Sequence, residues 1–499
     1  MSRVIIIGID AMDSEILARF ESELPNLIRL RKQSGGVQLK SVFPPDTPTA
    51  WASAYTGLNP AKHGVIFFLD PLETLSIYAT EDLDNTAIRG RTFWDEAGRN
   101  GKSVCVLLPQ MGYPVWPVNG IMAAKTNRRY GNESPIQTYP ESLAQDFDLR
   151  PLSSIKSLPK SRLFPGYVED YRRLVSAEMD FGLRMWRERE WDLFFIYSSA
   201  LDWLGHNLWS YFDEGDPAYP GENRFSGLFL EFYKRYDEWV GKFLEEAGQD
   251  TAIVVFSDHG QMRRPLQLVN INELLRQEGL LAPRKGSGHA ASPVSLLETA
   301  KKTAVKIVNR IGAGKLTMGI VHRVPAVRRI FTLPLSIDWE KTVAYVSDLS
   351  GVKAYPYGGI RIARDRLEGR DYEAVRDRIL ELLAAIKEPA SEAPVAKWAL
   401  RREDLYQGEY LDRYPDIVFG LSDQYGVGWT VNSPLFVPCQ THNIQPGSHR
   451  GDTPVIMFHL PSGETVIKED ATLMDIAPTV LHLMGIDGGA ALDGACLLK

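Results

Sequence analysis

The chain opens on a short apolar run, Val4-Ile5-Ile6-Ile7, that stops at Gly8 and Asp10. An unbroken β-branched run of this length predicts a strand buried on both faces. Similar runs return at 103–108, 193–197, 252–257 and 455–458. Between many of them lie stretches with helix-like patterning: 14–32, 92–100, 167–189, 228–247 and 472–484, the first with Ser14 as its expected N-cap. Strands alternating with helices predict an open, mostly parallel α/β sheet with helices on both faces. In such sheets, function gathers beyond the carboxyl ends of the strands.

Two stretches break the alternation. From 286 to about 335 the chain becomes basic and then proline-punctuated, with eight Lys/Arg residues and no acid between Glu298 and Asp338. From about 344 to 421 short strands surround one helical stretch, 372–386, as in a small α+β unit. The expected organisation is an α/β core of residues 1–285 and 440–499, interrupted at 286–439 by a basic helical segment and a small α+β cap.

Composition narrows the function class. With 499 residues, 24% charged and 44% hydrophobic, the chain is an ordinary globular protein, and its net charge of −7 gives no reason to expect nucleic-acid binding. Three cysteines, Cys105, Cys439 and Cys496, are too far apart for a disulfide framework or a Cys-rich zinc site. The opening apolar run is too short for a secretory signal, and no stretch reaches the ~20 apolar residues of a membrane span. A cytoplasmic location is the expectation.

The polar residues at the strand ends carry the chemistry. Asp10 follows the first strand, and Asp258-His259 follows the run 252–257. Asp202 and His206 follow the run 193–197, four apart and so on one face of a helix. His449 lies in Gly447-Ser448-His449-Arg450-Gly451, just before another strand. Taken singly, each is as well explained as a cap or a solvated polar residue. Together they are six Asp and His side chains at strand ends, too many for one tetrahedral site and enough for two sites of three. His289, His322, His459 and His482 sit elsewhere, while His63 and His442 stay open as neighbours of the site.

Thr47, in Phe43-Pro44-Pro45-Asp46-Thr47-Pro48-Thr49-Ala50-Trp51, is followed by proline and is expected to cap a helix. A hydroxyl there faces N–H groups that favour phosphate oxygens. A neutral threonine is a weak nucleophile that metal coordination would activate. A plain cap is the alternative, and Thr49 is the rival if the helix starts two residues later.

The run from Thr47 through Tyr55-Thr56-Gly57-Leu58-Asn59-Pro60-Ala61-Lys62-His63-Gly64-Val65 resembles the nucleophile segment of type I phosphodiesterases and nucleotide pyrophosphatases, of the alkaline phosphatase superfamily. There a threonine precedes the Thr-Gly-Leu turn by nine residues, as Thr47 precedes Thr56. Ile-Gly-Ile-Asp10, Asp202-xxx-His206, Ser257-Asp258-His259-Gly260, His449 and the helix from Asp475 to Thr479 resemble further motifs in the same order. The resemblance implies an alkaline-phosphatase-like fold and a hydrolase of phosphodiester or pyrophosphate bonds acting through a phosphothreonine. It implies two divalent ions, zinc ahead of manganese or others. Asp202, His206 and His449 would hold one; Asp10, Asp258 and His259 the other, with Thr47 reaching that second ion. One departure stands out: the family places an asparagine shortly after the His-Gly turn, whereas this chain reads Val65-Ile66-Phe67-Phe68-Leu69-Asp70. It bears on the expected nucleotide-diester substrate. Ser53 is a poorer match to the serine nucleophiles of related enzymes.

Trp51, Phe68 and Trp203 are the expected substrate-facing aromatics of a small-molecule phosphate-ester pocket, with Phe67 and Trp209 nearby. Two other readings remain at this level. One keeps the fold but hydrolyses monoesters or phosphonates. The other takes 301–329 as an amphipathic polyanion- or membrane-surface-binding segment beside a relic site.

Overall fold

The computed structural model describes residues 3–66, 85–125, 136–153, 155, 163–284, 336–347, 354–461, 463–488 and 491–499. Seven strands form the main sheet, in the order Ile456–His459, Thr251–Phe256, Arg3–Ile9, Leu193–Ser198, Val104–Leu107, Gly120–Lys125, Ile136–Tyr139. The five inner strands run parallel, and the two edge strands are antiparallel to their neighbours. The Arg3–Ile9 strand is buried on both sides, as its unbroken apolar run requires. Its Ile5, Ile7 and Ile9 enter one core cluster with the long helices Phe164–Glu188 and Leu228–Glu246. Val4 and Ile6 enter the opposite cluster with the helices Thr47–Thr56, Phe93–Arg99 and Ile476–Leu483.

Three expectations are corrected. The helix expected over 14–32 is two, Ser14–Arg19 and Pro25–Gln33, because Pro25 cannot donate in a helix interior but suits the start of a new one. Its cap is Asp13, whose carboxylate accepts from the backbone of Glu15 and Ile16, and not Ser14. The helix carrying Thr47 begins after Asp46, whose backbone is extended, so Thr47 is its first helical residue rather than its cap.

Four antiparallel strands form a second sheet in the order Ala344–Ser347, Tyr357–Ile362, Ile417–Leu421, Ala396–Arg401. Its core shares a cluster with the helix Tyr372–Ala385. The expected start at 286 comes too late for this packing. Val269, Ile271 and Leu275 already belong to the same cluster, because the strand Gln267–Asn270 pairs with Tyr425–Gly428 and Phe436–Pro438. The basic stretch at 286–335 lies outside the described residues. No helix among the described residues is long and apolar enough to cross a membrane.

Candidate metal centre and nucleophile

The carboxyl ends of three adjacent parallel strands converge on one place. Asp10 leaves the Arg3–Ile9 strand with its backbone N–H bonded to the Ser198 carbonyl at the end of the next strand. Asp258 and His259 leave the Thr251–Phe256 strand on the other side. The helix Ala200–Phe212 carries Asp202 and His206. His449 arrives on the strand Gly447–Arg450, paired antiparallel with Gly260–Arg263. The helix lies close against these strands because Gly205 faces the Gln261 side chain: a Cβ at 205 would collide with the Gln261 amide.

The six side chains sort into two groups, Asp202–His206–His449 and Asp10–Asp258–His259, with the candidate ligand atoms of each within 4.8 Å of one another. In the first, Asp202 Oδ1 is 3.2 Å from His206 Nε2 and 3.4 Å from His449 Nε2. In the second, His259 Nε2 is 3.5 Å from Asp10 Oδ1 and 3.3 Å from Asp258 Oδ2. The rings of His259 and His449 stack with centroids 3.9 Å apart, so the two groups adjoin.

The hydrogen bonds fix the tautomers. His206 Nδ1 faces the Gly447 carbonyl at 3.1 Å, His259 Nδ1 the Gly260 carbonyl at 3.0 Å, and His449 Nδ1 the Pro45 carbonyl at 3.0 Å. A carbonyl only accepts, so each Nδ1 donates, and in the neutral imidazole each Nε2 turns a lone pair inward. Those lone pairs meet carboxylate oxygens that also only accept. Asp10 Oδ1, Asp202 Oδ1 and Asp258 Oδ2 are buried without a hydrogen-bond partner. A convergence of acceptors with no donor is what cations resolve, and buried Asp and neutral His are their usual ligands.

The electrostatics agree. Burial, then the charges of Asp258 and Asp202, push the Asp10 carboxyl well above its ordinary range, although the Tyr197 hydroxyl donates to its other oxygen. Burial, with the Asp202 charge, raises Asp258 to about 8. Burial and neighbouring His259 pull His449 well down, which keeps it neutral. Asp202 moves the other way: burial opposes its ionisation, but His206 and His449 hold it well below its ordinary value, so the uncompensated charge falls on Asp10 and Asp258.

Thr47 stands beside the second group, its Oγ1 3.2 Å from His259 Nε2. Its rival Thr49 is fully buried, and its Oγ1 has no hydrogen-bond partner. Trp51, expected at the mouth, is a core residue: it lies under Gly8, where a Cβ would come within 2.7 Å of its ring, and against Tyr197 and Phe256. It faces inward because the Thr47–Thr56 helix packs that side against the sheet, in one core cluster with Val4, Ile6 and Phe256. Trp203 is half-buried beside Asp202, and Phe68 lies outside the described residues. His63 bonds Ser53 and the Val65 N–H, and burial drives it down to about 3; His442 bonds Asp216 at 2.8 Å. Neither belongs to the two groups.

Two residues with no sequence signal complete the surroundings. Tyr355 stacks on His449 with centroids 5.0 Å apart, and Arg264 is wholly buried beside the loop that carries His449. Tyr197 had a signal: it ends the strand next to Asp10, on the face where its hydroxyl reaches that carboxylate.

A family model for type I phosphodiesterase/nucleotide pyrophosphatase matches residues 4–430, a span that holds Thr47 and every candidate ligand but His449. No curated protein matches. Among solved structures, murine ectonucleotide pyrophosphatase/phosphodiesterase 5 aligns over 100% of both chains, with 13% identity and a TM-score of 0.50. An inactive variant of that murine protein in complex with AMP aligns as fully, with 14% identity and the same TM-score of 0.50. The family is divalent-metal dependent, in keeping with the two ligand groups. The chain belongs to the type I phosphodiesterase/nucleotide pyrophosphatase family, has the alkaline-phosphatase-like fold, and is a phosphoric ester hydrolase.

Proposed function

We propose that this hydrolase cleaves phosphodiester or pyrophosphate bonds of small molecules through a phosphothreonine at Thr47. The observation that carries the reading is the placement of Thr47 Oγ1, 3.2 Å from His259 Nε2 at the first position of a helix. Asp202, His206 and His449 would hold one divalent ion; Asp10, Asp258 and His259, with Thr47, the other. Three imidazoles and three carboxylates favour zinc, with manganese as the next choice. When bound, the ions supply Lewis-acid polarisation of the phosphoryl oxygens and acidify the threonine hydroxyl.

The protein's own groups then do the following. Thr47 Oγ1 bonds to phosphorus as the bond from phosphorus to the leaving oxygen breaks, and the hydroxyl proton passes by way of solvent to that leaving oxygen, which departs as the alcohol or phosphate. The helix N-terminus turns N–H groups and the positive end of its dipole toward the phosphoryl oxygens. Water displaces Oγ1 from phosphorus and restores the hydroxyl. Tyr197 and the Ala11 backbone N–H hold the outer oxygens of Asp10 and Asp258, so their partnerless oxygens stay aimed at the site. Trp203 offers an aromatic surface beside Asp202 for the leaving group. Three free cysteines, far apart, fit a reducing cytoplasmic setting.

The AMP complex of the murine relative makes nucleotide diesters the first substrates to test. The missing asparagine after His63-Gly64 favours a second reading, hydrolysis of monoesters or phosphonates. A panel of diesters, pyrophosphates, monoesters, phosphonates and sulfate esters, assayed after metal loading, tests both. Turnover confined to monoesters or phosphonates overturns the first reading. No turnover of any phosphorus ester overturns both.

A further inference from the structure

Arg264 is fully buried, and burial is the largest influence on its guanidinium. Tyr355, Cys439 and Tyr357 are the neighbours that offset that burial most. A buried charge of this kind is costly unless its N–H groups are used. Arg264 spends part of them on one short loop: Nε donates to the Gln445 carbonyl at 2.6 Å and Nη2 to the Gly447 carbonyl at 2.7 Å, while Nη1 is buried without a hydrogen-bond partner. Its own backbone N–H donates to the Pro446 carbonyl at 2.6 Å. Three successive carbonyls, 445 to 447, are therefore tied to one residue. The guanidinium carbon also lies 5.3 Å from the centre of the Tyr355 ring, the ring that stacks on His449.

The Gly447 carbonyl is the link to the chemistry. It accepts from Arg264 and also from His206 Nδ1, the contact that turns His206 Nε2 inward. His449 lies two residues further along the same strand. There is little slack in this place, because a Cβ on Gly447 would collide with the Gly205 carbonyl of the helix bearing Asp202 and His206. We propose that Arg264 is a positioning residue for the Asp202–His206–His449 group: by clamping the 445–447 loop it sets the orientation of His206 and the reach of His449, and so governs the cation affinity of that group alone. The Asp10–Asp258–His259 group does not depend on this clamp. Its imidazole is oriented by the Gly260 carbonyl, and its carboxylates by Tyr197 and Ala11.

The inference rests on the two-cation reading, and the test separates the two. Purified full-length protein is stripped with chelator and titrated with zinc against a chromophoric competitor. Cobalt absorption is recorded in parallel as a probe of ligand geometry. The wild type should bind two ions per chain, and failure to do so would overturn the two-cation reading itself. Asp202→Asn and Asp258→Asn mark which binding step belongs to which group. Arg264→Met should weaken the Asp202 step by roughly 10–100-fold, the usual effect of losing a group that orients a ligand, and leave the Asp258 step as it was. Arg264→Lys keeps the charge and one donor and should fall between; it also supplies the reading if the methionine variant does not fold. Equal weakening of both steps, or wild-type affinity at both in a folded Arg264→Lys or Arg264→Met protein, would overturn the proposal.

Discussion

The Nε2 atoms of His206 and His449 lie 2.9 Å apart, while the Nδ1 of each ring is engaged by a backbone carbonyl, Gly447 for one and Pro45 for the other. In the neutral imidazoles these are two lone pairs facing each other at hydrogen-bond distance. Adding zinc to the metal-free protein should therefore raise its melting temperature. His449→Ala should remove most of that rise from one of two binding steps. An unchanged zinc-induced shift in His449→Ala would count against the grouping of Asp202, His206 and His449.

The metal-free protein should also lose stability as pH rises. Asp258 has an ordinary value of 3.8 and lies at about 8 in the fold, with Asp10 moved in the same direction. The folded state thus holds a proton that unfolding releases between those values. The stability tied to that proton is complete below about 4 and is lost as pH climbs through about 8. Denaturant melts of chelated protein at intervals between pH 5 and pH 9 check this. Asp258→Asn should flatten the profile, and zinc should oppose the decline most strongly at the alkaline end.

Thr47→Ala should abolish turnover, by several orders of magnitude, while both cations still bind. Thr47→Ser should keep appreciable activity. Thr49→Ala should leave turnover close to normal, since Thr49 is fully buried on another side of the helix. Activity surviving in Thr47→Ala but lost in Thr49→Ala would transfer the nucleophile's role to Thr49.

The clustering of the candidate ligands was legible because strand ends are legible: an apolar run that stops at Asp10 or at Asp258 announces both the strand and the residue beyond it. Helix starts were less so. Thr47 was read as the cap with Thr49 as its rival, and only the backbone path, extended at Asp46, moves the cap one residue earlier. Trp51 was misplaced for a different reason. Proximity in sequence to Thr47 says nothing about which side of the helix faces Gly8 and the sheet. Arg264 and Tyr355 were invisible because their partners, Gln445, Gly447 and His449, come from distant parts of the chain.

Trp51 and Trp203 should therefore respond in opposite ways. Trp51→Ala removes a fully buried ring from the core and should cost about 3–5 kcal/mol of stability. Trp203→Ala, at a half-buried position, should cost much less stability and instead raise KM for substrates with large leaving groups. Chemical denaturation and steady-state kinetics on the two variants decide this; a Trp203→Ala protein with unaltered KM across leaving groups would remove Trp203 from the pocket.

Gly205→Ala should force the Gln261 side chain out of its place, where it now donates to the Leu201 carbonyl at 2.7 Å. Crowding of this kind costs roughly 1–3 kcal/mol. Adding Gln261→Ala should recover part of the loss, so the two substitutions should be non-additive in thermal melts. Strict additivity would show that the close approach of helix and strand does not depend on this pair.

His449 joins a cluster whose other candidate ligands all lie before residue 260, and the second sheet is laid down in the interval. A growing chain emerging from the ribosome thus possesses Thr47 and Asp10, Asp258 and His259 long before it possesses the other centre. Synthesis must run through the whole intervening unit before the last imidazole is available. A chain cut or stalled anywhere from 260 to 448 holds one candidate group complete and the other short of a member, so the two groups are finished at opposite ends of the second sheet's synthesis.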